Sequence, residues 1–218
     1  MNRWTRGAVV ALLGGLCVVG RAEAQAFEGS ITMRMAGRTP QGGTNQQMEY
    51  LVRAGKLRVN MGGAAGGMTM IAVPQEKKLY VLVAAQNAYM EMTLPEAAAA
   101  AQAATAPAAD VKVTRTGRME TVAGLSCEHV EVTSKTGSTD LCLTKALGRF
   151  INPLDGMRGA IAPWQQQIAN EFPLKVTMPD GTVPLEVTKV ERRRLSNDLF
   201  AIPDSYTKMS MPARPPAR

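Results

Sequence analysis

Residues 48–61, MEYLVRAGKLRVNM, decide how the rest of the chain is read. Met48, Tyr50 and Val52 stand at every second position, and beyond Arg53-Ala54-Gly55-Lys56 the same spacing resumes at Leu57, Val59 and Met61. A period of two sends alternate side chains to opposite faces of a strand. A short break containing glycine between two such runs reads as a hairpin turn. The stretch therefore predicts an antiparallel pair with one apolar face.

The pattern spreads both ways. Upstream, Ile31, Met33 and Met35 alternate with Thr32 and Arg34. Downstream, strands are expected over 68–73 and 79–83 around the polar turn Gln75-Glu76-Lys77-Lys78, over 88–92, and over 111–115 and 119–123 around Thr116-Gly117. Two further hairpins are expected, residues 127–133 with 139–144 around Gly137, and 174–178 with 185–190 around Pro179-Asp180-Gly181. Two segments depart from this rhythm. Residues 95–104 are rich in alanine and suit a short helix. Over 154–171, Met157, Ile161, Trp164 and Ile168 recur at three- and four-residue spacing, as an amphipathic helix requires, with Pro163 starting or kinking it. The expected fold is mainly β (α+β): a curved antiparallel sheet or half-barrel wrapped around one amphipathic helix, with a short Ala-rich helix.

The first residues give the compartment. Arg3 and Arg6 precede an apolar run from Ala8 to Val19, and Ala22-Glu23-Ala24 or Ala24-Gln25-Ala26 supplies small residues for cleavage. That order reads as a signal peptide over residues 1–24 whose apolar run is too short to span a bilayer, so the working protein is expected in the periplasm or outside the cell with no transmembrane anchor. Leu16 stands before Cys17, where lipid attachment needs a small residue, which argues against a lipoprotein. Losing Arg3, Arg6, Arg21 and Glu23 with the peptide lowers the formal charge from +7 to +5. The remaining basic residues are scattered apart from Arg192-Arg193-Arg194, and aromatics are 5% of the chain, which argues against a nucleic-acid partner. Residues 25–211 are expected to form a single β-rich domain, and the proline-rich 212–218 a flexible tail.

Five stretches carry a family resemblance: Phe27-Glu28-Gly29-Ser30-Ile31-Thr32-Met33, Gly124-Leu125-Ser126-Cys127-Glu128, Leu141-Cys142-Leu143-Thr144, Phe172-Pro173-Leu174-Lys175-Val176 and Leu199-Phe200-Ala201-Ile202-Pro203, followed by Tyr206, Met209 and Met211. In this order they resemble the exported bacterial family known as domain of unknown function 4412. The resemblance implies a half-open antiparallel barrel similar to the carriers that ferry lipoproteins across the periplasm. It brings no catalytic residue with it.

Cys127 and Cys142 remain after cleavage, and an oxidising compartment favours a disulfide between them. Two registers of their hairpin are open. A turn centred on Thr136-Gly137 sets Val130 against Leu143 and Val132 against Leu141 but puts Cys142 opposite Glu131, too far for Cα atoms that must lie within about 7 Å. A turn centred on Ser134-Lys135 faces the cysteines and spoils the apolar match. A bulge or longer loop can reconcile the two. No Cys-x-x-Cys pair marks redox catalysis. His129 is the single histidine, without a second imidazole for zinc or a partner motif for a triad, and Gly62 to Gly67 is not followed by Lys-Ser/Thr, so it is no phosphate loop. Neither a cofactor nor a metal is expected.

Methionine is abundant, fourteen in all, and pairs at i, i+2 as in Met33/Met35 and Met68/Met70. Such pairs share a strand face. Methionine fills irregular cores, and it also lines adaptable surfaces that accept varied apolar guests. Thioethers can further ligate copper(I), a more distant reading. Met33, Met35, Met68, Met70 and Trp164 are the candidate ligand-binding residues. Two readings follow: a non-enzymatic binding or carrier-like module for a hydrophobic ligand, a lipid or lipoprotein acyl chain, and a structural or protein-interaction domain of the cell envelope without cargo.

Overall fold

The hairpin at 48–61 forms as its alternation dictates. Arg53 pairs with Lys56 across a two-residue turn in which Ala54 (φ 48°) and Gly55 (φ 76°) are both left-handed. Left-handed backbone at both central positions gives a turn whose twist matches the strands it joins. In a computed structural model, which describes residues 27–39, 42–62, 67–93, 111–135, 137–150, 167–168 and 170–209, this hairpin is part of one open, curved sheet.

Twelve strands make that sheet among the described residues. The first arm is β1 (Gly29–Thr39), β2 (Gly42–Arg53), β3 (Lys56–Met61), β4 (Met68–Val73), β5 (Lys78–Val83) and β6 (Ala88–Thr93). The second is β7 (Lys112–Val122), β8 (Leu125–Ser134), β9 (Gly137–Thr144), β10 (Phe172–Thr177) and β11 (Leu185–Arg192), and β12 (Thr207–Lys208) ends the set. The spatial order is β12-β6-β5-β4-β3-β2-β1-β11-β10-β9-β8-β7. Each arm is thus an antiparallel meander, and β1 against β11 joins them. β12 adds to β6 in parallel.

One face carries a continuous apolar cluster with residues from β1 through β6 and from β7 to β11. The opposite face carries two separate clusters, one on each arm. Side chains of both arms converge only on the inside of a curve, so the continuous cluster is the concave core. Leu51, Ile71 and Leu82 on the convex side are covered by Leu195 and Phe200, from the segment after β11.

Several expectations are corrected. Thr116-Gly117 is no hairpin turn. β7 runs through it, with Arg115 against Val130 and Met119 against Glu128, so residues 116–118 oppose His129 alone in a bulge. Thr116 Oγ1 donates to the His129 carbonyl at 2.8 Å, which keeps the strand attached there. The turn falls instead at Ala123-Gly124 (φ 49° and 79°). Among the described residues there is no amphipathic helix. The helix expected at 95–104, most of that expected over 154–171, and the signal peptide and flexible tail expected at 1–24 and 212–218 lie outside the described residues. At its described end the second segment is turned rather than helical at 167, 168 and 170. Ile168 packs with the convex cluster of Val130 and Leu141, not with the concave core. Among the described residues no helix is long and apolar enough to cross a membrane.

Candidate functional site

The concave face is built from cross-strand rows. Met33 on β1 pairs with Met48 on β2, Met48 with Met61 on β3, and Met61 with Met68 on β4. The next row runs Ile31, Tyr50, Val59, Met70, Val81 and Met90 across six strands. Of the residues singled out from sequence, Met33, Met35, Met68 and Met70 therefore meet on one face and in one cluster. Trp164 lies outside the described residues. Met33 is fully buried at 0% exposure, whereas Met35, Met61, Met68, Met90 and Met92 are half-buried. Deeper in the face, Tyr50, Phe150 and Phe172 form an aromatic trio with ring centroids 5.0–5.7 Å apart. Such contacts add to burial and fix ring orientation.

Toward β7 the same face changes character. Cys127 and Cys142 are joined, with Cα atoms 5.3 Å apart. The register that allows this is midway between the two expected ones: Val130 pairs with Leu141 and His129 with Cys142. Cys127 is thus a diagonal neighbour of Cys142 on the same face; on the other face Val130 keeps an apolar partner in Leu141, while Val132 faces Thr139 and Leu143 faces Glu128, and the four apolar residues still share one cluster.

Around the bridge lies a charged set. Glu120 pairs with Cys127 across β7 and β8. Its Oε1 accepts from Lys175 Nζ at 2.9 Å, and its Oε2 is 3.1 Å from His129 Nε2. Hydrogen bonding to Lys175, then the charges of Lys175 and His129, hold the Glu120 carboxyl below its ordinary range despite some burial. The other ring nitrogen, His129 Nδ1, is 2.8 Å from Asp140 Oδ1, and Arg118 pairs with Asp140 while lying 3.1 Å from the same Nδ1. The side chain of His129 is 12% exposed. The ligand atoms of Glu120, His129 and Cys142 lie within 4.8 Å of one another. Sequence reading gave His129 no partners. Local sequence does not reveal this set, because Glu120, Asp140 and Lys175 come from three other strands.

On the convex side, Arg115 Nη2 donates to both oxygens of Glu171, at 3.0 and 2.9 Å, and Nη1 to Glu128 at 2.8 Å. Glu171 is 6% exposed, so this pairing is what its burial requires.

The family model described as Domain of unknown function (DUF4412) matches residues 27–206. Among solved structures, an uncharacterized conserved protein from Thermus thermophilus is similar at 13% identity over 85% of this chain and 93% of that one, with a TM-score of 0.47. PNGF-II is similar at 9% identity over 83% of this chain and 31% of that one, with a TM-score of 0.45. A LolA superfamily protein from Nitrosomonas europaea is similar at 12% identity over 81% and 91%, with a TM-score of 0.33. No curated protein matches.

Proposed function

The chain belongs to the DUF4412 family, a domain of unknown function, and we propose that it is a non-enzymatic, exported binding or carrier-like module for a hydrophobic ligand, a lipid or the acyl part of a lipoprotein. One observation carries the reading: the row Met33, Met48, Met61, Met68 crosses four adjacent strands on the concave face. Methionine is unbranched and polarisable, so a row of them can repack around guests of different shape. A mostly apolar concavity with few polar groups suits an acyl chain. The half-buried methionines at the margins, Met35, Met61 and Met68 among them, offer such a chain its first contacts.

Two observations support the rest of the reading. Disulfides form and persist in oxidising compartments, so the Cys127–Cys142 bridge is in keeping with export. The two described cysteines are bonded to each other, so neither supplies the thiolate that a cysteine hydrolase needs beside His129.

The test is to export the full precursor, purify the protein without detergent and identify small molecules bound to it by native mass spectrometry and solvent extraction. Stoichiometric lipid or acylated peptide, lost in Met61→Gln/Met68→Gln, supports the carrier. Bare protein sinks it and leaves a structural or interaction module of the envelope, the reading favoured by the complete burial of Met33.

A further inference from the structure

At the β7 end of the concave face, sulfur, imidazole and carboxylate converge from three strands. Glu120, His129 and Cys142 place their ligand atoms within 4.8 Å of one another, and Cys127 Sγ is bonded to Cys142 Sγ. Zinc holds thiolate sulfur at about 2.3 Å and imidazole nitrogen or carboxylate oxygen at about 2.0–2.2 Å in a tetrahedron, which sets neighbouring ligands about 3.3–3.8 Å apart. The present atoms are therefore within shifts of about 1 Å of such a cage.

We infer that this corner is a redox-gated zinc site: reducing the Cys127–Cys142 bond frees two sulfurs that join His129 Nε2 and Glu120 Oε2 as a four-ligand set for Zn2+. While the bridge is intact the sulfurs cannot serve, because the thiolate is the ligand. A dithiol, small or borne on a thiol–disulfide oxidoreductase, gives two electrons and two protons to the S–S bond and itself closes to a disulfide. Two thiols result. Zn2+ then takes the place of their two protons, which leave to solvent.

Three neighbours fit this role. Asp140 lies on His129 Nδ1 at 2.8 Å, the arrangement that fixes a ligating imidazole with its other nitrogen toward the metal. Lys175 holds Glu120 by Oε1, which leaves Oε2 toward His129. Zn2+ with two thiolates and one carboxylate carries a net charge of −1, which the Lys175 ammonium offsets. The gate has a physical basis as well. Both sulfurs are buried, but among the described residues β7 is the edge strand, paired with β8 alone and bulged at 116–118. Such an edge opens locally at less cost than the sheet interior.

The experiment uses the full mature chain, oxidised or reduced with a dithiol and desalted without oxygen, titrated with Co2+ and then competed with Zn2+. The reduced protein is expected to bind one equivalent of Co2+ with thiolate-to-cobalt charge-transfer and tetrahedral ligand-field absorption, bleached by Zn2+. The oxidised protein is expected to show neither band. Asp140→Asn should weaken metal binding about 10–100-fold, and His129→Ala and Glu120→Gln should each weaken it as well. Absence of the charge-transfer band in the reduced wild type overturns the site. So does binding by His129→Ala and Glu120→Gln that equals wild type. Far-UV circular dichroism is followed throughout. If reduction melts the sheet, Zn2+ must restore its spectrum in wild type and not in His129→Ala, and failure of that recovery also counts against the site.

Discussion

Cys127 and Cys142 are 15 residues apart, and their bridge ties β8 to β9 close to the edge of the sheet. Closing a loop of that size restricts the unfolded chain by about 3 kcal/mol. Cys127→Ala/Cys142→Ala is therefore expected to lower unfolding stability by about 3 kcal/mol, read from urea titrations, while an unchanged midpoint would show that the cross-link adds nothing. Glu120 beside it gives a pH dependence. Lys175, first by its hydrogen bond, holds the carboxyl below the ordinary value of 4.5. A depressed carboxylate stabilises the fold above its unfolded pKa and loses that contribution as pH falls through the folded value. Glu120→Gln should then be less stable than wild type at about pH 7, by no more than about 1 kcal/mol because the pair is a third exposed. The difference should shrink as pH falls below 4.5, measured as paired urea midpoints. A gap that persists in acid would show that the loss is not ionic. Compartment and composition were enough to point at the two cysteines. Glu120, Asp140 and Lys175 were not legible as partners of His129, because their meeting depends on the bulge at 116–118 and on which strands lie side by side.

Among elements, the hairpins were the most legible part, since alternation and turn residues are local. The turn at 54–55 sits where the break in period two puts it, whereas Thr116-Gly117 misled because a glycine inside a bulge carries the same signal as one in a turn. Two turns hold alanine in left-handed backbone, Ala54 at φ 48° and Ala123 at φ 49°. That conformation costs an ordinary residue about 1 kcal/mol, and asparagine tolerates it better. Ala54→Asn/Ala123→Asn is expected to raise thermal stability by about 1 kcal/mol in total. A fall in melting temperature would mean that the side chains meet something else. Gly29 poses the opposite constraint. A Cβ there would lie 2.0 Å from the backbone carbonyl oxygen of Glu191, across the β1–β11 pairing that joins the arms. Backbone cannot give way as a side chain can, so Gly29→Ala should cost about 3 kcal/mol or more, with expression and urea unfolding as the measures. A variant as stable as wild type would show that β1 and β11 are not so close.

At the scale of the whole molecule, alternation told which residues share a face but not which strands become neighbours. Nothing local says that β1 should pair with β11, about 160 residues away, or that the second arm folds back from the far edge. The burial of the convex side was equally illegible. A sheet curved around one core leaves its outer face as a liability, and on the first arm that face presents Leu51, Ile71, Val73 and Leu82, enough for a sticky patch. The segment after β11 answers this. Glu28 Oε1 accepts from the Leu195 amide at 3.0 Å, Arg58 Nη1 donates to the Leu199 carbonyl at 2.7 Å, and Phe200 packs onto the patch. β12 then pairs with β6, so one segment covers both a face and an edge. The convex cluster of the second arm, around Val130 and Leu143, shares no residue with it. Damage to the strap should therefore stay within one arm. Phe200→Ala is expected to cost about 3 kcal/mol and to raise amide hydrogen exchange in β4, β5 and β6 while β8 and β9 keep their protection. If exchange rises evenly across both arms, the β1–β11 junction transmits the loss and the sheet opens as a single cooperative unit, with no independent first arm to release a guest held on its methionine rows.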